Sequence, residues 1–176
     1  MDETAQLSLA NKWQRADCLL RKLLKADPRN AERLHLAVVA RHQAKKVKQA
    51  RGLVERAIQV ALENASYRVT LGQIFDKAGE LPLAAAAYEA AVTLDPLDAE
   101  TYFTLAGAWK RMGHFDAAIQ CYEKSLEIQP NNAPALYNLG NALNVAGRLE
   151  EAVEAYCVAL AVQPGFLPVF KNSGQL

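Results

Sequence analysis

Four stretches of the chain, residues 31 to 64, 65 to 98, 99 to 132 and 133 to 166, align with one another at a constant offset of 34 residues without insertion or deletion. A fixed period of that length constrains the fold more than any other feature, because it marks one supersecondary unit repeated and stacked. The clearest copy, AETYFTLAGAWKRMGHFDAAIQCYEKSLEIQPNN, carries Tyr102, Leu105, Ala106, Trp109, Gly113, Ala118, Tyr122, Ser125 and Pro130. Residues 133 to 166 answer with Leu136, Leu139, Gly140, Leu143, Gly147, Ala152, Tyr156, Ala159 and Pro164, and residues 65 to 98 with Leu71, Gly72, Phe75, Gly79, Ala84, Tyr88, Ala91 and Pro96. The i, i+3, i+4, i+7 spacing of the apolar residues is that of amphipathic helices. Ala and Gly stand where two helices cross closely, and large residues fill the space beside them.

Residues 31 to 64 form the degenerate copy. They keep Leu34, Ala37, Ala50, Val54 and Ala57, but place Val38, Arg41, Lys45 and Leu62 where the pattern prefers a small residue, a bulky apolar one, Gly and Pro. Before them, Asn11, Trp13, Ala16, Leu20, Leu23 and Pro28 fall on the same lattice and make a partial unit with a short opening helix. The punctuation follows the period. Asn11, Gly79, Gly113 and Gly147 sit at the turn inside each unit, where a left-handed residue ends a helix, and Lys45 at that place is sterically penalised. Asn30, Asn64, Asp98 and Asn132 precede each new helix as caps, and Pro28, Pro96, Pro130 and Pro164 stop the helix before.

These motifs resemble those of the tetratricopeptide repeat (TPR) family. The resemblance implies an all-α fold, a right-handed α-solenoid of antiparallel helix pairs, with about four complete repeats and partial repeats at both ends. One solenoid domain over residues 1 to 176 is expected: a partial repeat at 1 to 30, repeats at 31 to 64, 65 to 98, 99 to 132 and 133 to 166, and the start of a further repeat or cap at 167 to 176. In that last stretch Phe170, Ser173 and Gly174 fall on repeat positions. A solenoid needs a polar cap on its last apolar face. The short stub predicts that a partner, self-association or a longer polypeptide covers that face.

Hydrophobic residues make up 51% of the 176-residue chain, which fits a core-forming protein, and no apolar run reaches the length needed to span a bilayer. Met1 to Ala10 lacks the basic start and apolar stretch of a secretory signal, so a cytoplasmic location is expected. Cys18, Cys121 and Cys157 are widely spaced and odd in number, and are read as helix-packing residues rather than as disulfides or metal ligands. The net charge of +1 conceals an asymmetry: residues 1 to 64 hold 13 Lys or Arg against 7 Asp or Glu, and residues 65 to 176 hold 7 against 12. Lys45, Lys46, Lys48 and Arg51 cluster at one turn, read as a solvated turn, and lack the interleaved aromatics that stack bases, so nucleic acid is not expected as a partner. His35 and His42 lie seven residues apart, about 10 Å along a helix, too far to chelate one ion. With no Gly-rich phosphate loop, nucleophile elbow or paired Cys or His spacing, the chain is expected to be no enzyme and to carry no cofactor and no metal.

What remains is the surface that stacking creates. In TPR-like solenoids the first helix of each repeat lines a concave groove, which here assigns a peptide-binding set of Gln73, Phe103, Lys110, Arg111, Tyr137, Asn138, Asn141, Asn144 and Asn172. The Lys and Asn clamp with which some TPR proteins hold acidic chaperone tails is not reproduced: its places hold Val69, Gln73, Thr104, Pro134 and Asn138. Asn138 and Asn172 instead share one slot in successive units, like the start of the asparagine ladders in the TPR arms of O-linked N-acetylglucosamine transferases. An amide offers both donor and acceptor, so a row of them can hold a peptide by its backbone. Leu36, Thr70 and Thr104 occupy that slot earlier, which confines a ladder to the C-terminal part of the groove. Phe103 and Tyr137 would be apolar anchors beside it. The expected function is a protein-interaction scaffold that binds a peptide or helical segment. The alternative is the substrate-recruiting arm of a larger glycosyltransferase of that type.

Overall fold

The computed structural model describes residues 15–43, apart from Asp17, Arg21, Leu23 and Pro28, and residues 47–165. Helices follow one another throughout: α1 (Ala31–Gln43), α2 (Val47–Val60), α3 (Ala65–Ala78), α4 (Leu81–Leu94), α5 (Ala99–Arg111), α6 (Phe115–Ile128), α7 (Ala133–Val145) and α8 (Leu149–Val162). The described residues between 15 and 26 are helical as well, and no strand occurs among the described residues. The chain forms two compact units, residues 1–94 and 95–176. In the first, α1 packs on α2, α2 on α3 and α3 on α4; in the second, α5 packs on α6, α6 on α7 and α7 on α8. Each unit is therefore a stack of helix hairpins, an α-solenoid built of the 34-residue repeats.

The helix ends fall where the sequence punctuation puts them, and the bonds show why. Asn30 Oδ1 accepts from the Arg33 amide at 3.0 Å, Asn64 Oδ1 from Ser66 at 3.1 Å, Asp98 Oδ1 from Thr101 at 3.1 Å and Asn132 Oδ1 from Ala135 at 3.0 Å. Each bond satisfies one of the amides that a helix start leaves without an intrahelical partner. Gly79, Gly113 and Gly147 adopt φ of +79°, +82° and +79°. The residue after each glycine then donates back to the last turn: Glu80 to Phe75, His114 to Trp109 and Arg148 to Leu143, at 2.9 to 3.0 Å. That bond closes a Schellman motif and turns the chain sharply into the next helix. Lys45 and Asn11, the other two residues at this place, lie outside the described residues, as does Pro28.

Each unit has its own core. In the second, Ala106, Ala118, Ile119, Tyr122, Leu136, Leu139, Leu143 and Tyr156 are buried together; in the first, Leu34, Ala37, Val38, Ala50, Val54, Ala57, Tyr67 and Ile74 are. One pair of places sixteen residues apart decides the fit of the two helices in every repeat. At Gly72 and at Gly140, an added Cβ would stand 2.5 Å from the ring of Tyr88 and of Tyr156 respectively. The bare backbone is what lets each ring lie across the first helix. In the repeat at 99 the same places hold Ala106 and Tyr122, and in the repeat at 31 they hold Val38 and Val54, both fully buried. Val38 departs from the small residue that the pattern prefers, and the structure gives the reason it is accommodated. The opposing side chain has shrunk from Tyr to Val, so volume is exchanged across the contact rather than added.

Candidate functional site

The faces of the first helices that the repeat lattice singles out can be followed in each unit separately. In the first unit Gln73 is exposed on α3. Behind it, His35 on α1 reaches α3, with its Nε2 3.0 Å from Thr70 Oγ1 and its ring 4.9 Å from that of Tyr67. Thr70 already donates its hydroxyl proton to the Ser66 carbonyl at 2.8 Å, so toward His35 its oxygen accepts and the neutral imidazole carries its proton on Nε2. Burial lowers the His35 pKa from 6.5. Well above pH 6.5 the ring is neutral folded and unfolded, and its titration leaves stability unchanged. As pH falls below that value, the unfolded chain takes up the proton first and stability declines. Urea midpoints measured from pH 7.5 to 5 should therefore fall at the acid end, and His35→Gln should flatten the part of that slope due to this ring.

Arg51 belonged, in the sequence reading, to a solvated basic turn. It lies on α2 and is exposed, as that reading has it, and it also has partners within the first unit: it pairs with Glu55 at 2.9 Å and Glu80 at 3.7 Å, and its guanidinium lies 4.8 Å from the centre of the Phe75 ring. Lys45 and Lys46 lie outside the described residues. Among the described residues, no three His, Cys, Asp or Glu stand together as a metal-holding group.

Seven of the nine residues assigned to the groove lie in the second unit, Gln73 lies in the first, and Asn172 falls outside the described residues. On α5, Phe103 is half-buried with its ring centre 5.8 Å from that of Tyr122; on α7, Tyr137 is half-buried and 5.9 Å from Tyr156. Each thus rests one side on the core and shows the other to solvent. Between the two helices, Lys110 Nζ donates to Asn138 Oδ1 at 2.7 Å, and Asn138 Nδ2 donates to the Pro134 carbonyl at 2.9 Å. An ammonium can only donate and a carbonyl can only accept, so the two bonds together set which way the amide faces. One proton of the Asn138 amide nitrogen and two of the Lys110 ammonium stay available. Asn141 has another task, since its Oδ1 accepts from the buried Tyr156 hydroxyl at 2.9 Å. Arg111 and Asn144 are exposed at the ends of α5 and α7. The structure thus joins Lys110 to Asn138 on the two helices that also carry Phe103 and Tyr137, while Asn141 faces partly inward.

Sequence reasoning did not single out the open cleft of about 510 Å³ at the hairpin end of the same unit, lined by Trp109, His114, Phe115 and Ala146 among others. Trp109 and His114 meet there edge to face at 5.4 Å. The signal lay in the aromatics flanking Gly113. The cysteines divide: Cys121 packs against the second core, whereas Cys18 and Cys157 are exposed.

Tetratricopeptide repeat signatures match residues 43–99, 99–132 and 121–154, which together run without a gap from 43 to 154. The chain belongs to the tetratricopeptide repeat family. The match at 99–132 coincides with the repeat read from the period, and the match at 121–154 begins inside α6, as a continuous array permits. Solved TPR structures resemble the chain along most of its length. A crystal structure of MamA shares 26% identity over 93% of this chain and 96% of that one, with a TM-score of 0.83. YrrB, described as a TPR protein with an unusual peptide-binding site, shares 26% identity over 97% of this chain and 87% of that one, with a TM-score of 0.81. No curated protein matches the sequence. No helix among the described residues of this TPR protein is long and apolar enough to cross a membrane.

Proposed function

We propose that this TPR protein is a scaffold that holds an extended segment of a partner protein against the α5 and α7 faces of its second unit. The observation that carries this reading is the Lys110–Asn138–Pro134 chain of hydrogen bonds on the same two helices as two half-exposed aromatic rings. A bound backbone needs donors and acceptors whose direction is already set, because each side chain that must be ordered on binding costs about 0.5–1.5 kcal/mol. Here the amide is ordered in advance, and Phe103 and Tyr137 supply apolar area with few rotamers to lose. The peptide-binding site described for YrrB, a protein of the same architecture, supports the same role. The chain's act is then to hold a segment, with no bond made or broken.

The test is a selection of random dodecapeptides displayed on phage against the immobilised full chain, followed by fluorescence anisotropy with the enriched peptides. Asn138→Ala combined with Asn144→Ala should weaken them about tenfold, the loss of one or two hydrogen bonds of roughly 1 kcal/mol each. The far-ultraviolet circular dichroism should not change, since neither residue is in the core. Equal affinities in the two proteins would remove the proposal. Asn141 is left intact because its substitution would also strip the Tyr156 hydroxyl of its acceptor.

A further inference from the structure

Lys110 is a half-buried ammonium that forms no ion pair with any described carboxylate; its one bonded partner is the neutral Asn138 amide. Two other cations of the same unit show the contrast: Lys124 pairs with Glu127 at 2.7 Å, and Arg148 with Glu151. A lysine stem is long enough to carry its charge out to water, and doing so avoids the desolvation cost. Here the head group turns inward to Asn138 instead, and burial depresses its pKa. The negative end of α5 offsets part of the charge, but a helix terminus is equivalent to only about half an elementary charge. The balance of the positive charge has no described carboxylate to meet it, and the ammonium keeps donors that the Asn138 bond does not use.

We infer that the segment held at this site is acidic, with an Asp or Glu side-chain carboxylate accepting from Lys110 Nζ beside Asn138, and an apolar side chain of the same segment resting on Phe103. The inference rests on the peptide-binding reading above and names the chemistry of the ligand. A carboxylate gives the ammonium a charge-assisted hydrogen bond, roughly twice as strong as a neutral one, and supplies the counter-charge that the fold omits. Phe103 and Lys110 are seven residues apart on one helix, hence about 10 Å along its axis. An extended peptide rises about 3.3 Å per residue, so the apolar and acidic residues should stand three positions apart. The arrangement differs from a clamp built of several cations, because one lysine and one amide suffice for a single carboxylate.

The experiment uses the full chain and the dodecapeptides enriched by the phage selection, synthesised both with their Asp or Glu and with Asn or Gln in its place. The expected result is that acidic residues recur three positions from an apolar one. The carboxamide peptides should bind at least about tenfold more weakly, the range of a lost charged hydrogen bond. Lys110→Met should erase that ratio, and Lys110→Arg should keep most of it. Circular dichroism of both variants guards against misfolding, and the arginine variant keeps the test decisive if the methionine variant is destabilised. Peptides that bind the native chain equally well as acid and amide would overturn the inference, as would an undiminished ratio in Lys110→Met; either outcome leaves the peptide-binding reading standing. Failure to enrich any peptide would overturn both.

Discussion

Gly140→Val should destabilise the second unit by about 1–3 kcal/mol, and adding Tyr156→Val should recover part of the loss rather than deepen it. The first half follows from distance: a Cβ at residue 140 would stand 2.5 Å from Tyr156 Cε1, and the ring is buried. Filling a packed core beyond its volume costs about that much. Gly140→Ala is a weaker test, because the helix propensity gained, about 1 kcal/mol, offsets part of the clash, and Ala106 opposite Tyr122 shows that one methyl is accommodated. The second half follows from Val38 and Val54, which hold the same two places in the first unit and are fully buried in one cluster there. Recovery is incomplete because removing Tyr156 also takes the donor from Asn141. Urea unfolding of the four proteins closes a double-mutant cycle. A coupling of at least about 0.5 kcal/mol in the rescuing direction is expected for residues in contact, and additive losses would show that the two places do not share volume.

Tyr122→Ala should have the larger effect, a loss of about 3–5 kcal/mol, typical of removing a fully buried aromatic. Tyr122 is 1% exposed and belongs to the cluster formed by α5, α6, α7 and α8. Burial pushes its phenol pKa up to about 12, a mark of how far the ring sits from water. Phe103 leans on this ring at 5.8 Å, so the substitution also removes the support of one aromatic of the proposed site. Since a domain of this size has a stability of only about 5–15 kcal/mol, a shift of the second unit's melting transition by many degrees is expected. Tyr122→Phe, which keeps the ring, should stay near the native value. A small effect of the alanine variant would mean that neighbouring side chains collapse into the space.

How much of this was visible beforehand depends on whether a property resides in one residue or in a relation between two. The caps at Asn64, Asp98 and Asn132 and the left-handed turns at Gly79, Gly113 and Gly147 were readable, because each depends on the chemistry of one side chain at one place in the period. The exchange of volume between Val38 and Val54 was not. Each looked like a separate departure or match until the helices were laid across one another. The partners of Arg51 were hidden for a similar reason: Glu55 is a helical neighbour, but Glu80 and Phe75 approach only when α2 and α3 pack. In the proposed site, the residue types and helix faces were legible in the period. The bond from Lys110 to Asn138 spans 28 residues and depends on a lysine rotamer that no pattern encodes, and the inward task of Asn141 depends on Tyr156 in the next helix.

The glycine and tyrosine that meet at 140 and 156, like their counterparts at 72 and 88, always belong to a single 34-residue unit. A duplication or exchange of a whole unit therefore transfers both halves of the contact at once. A single-codon change delivers only one. This chain can vary its array by copying units more freely than by editing them, and a lineage that acquires Val at the first place regains stability when a smaller residue follows at the second.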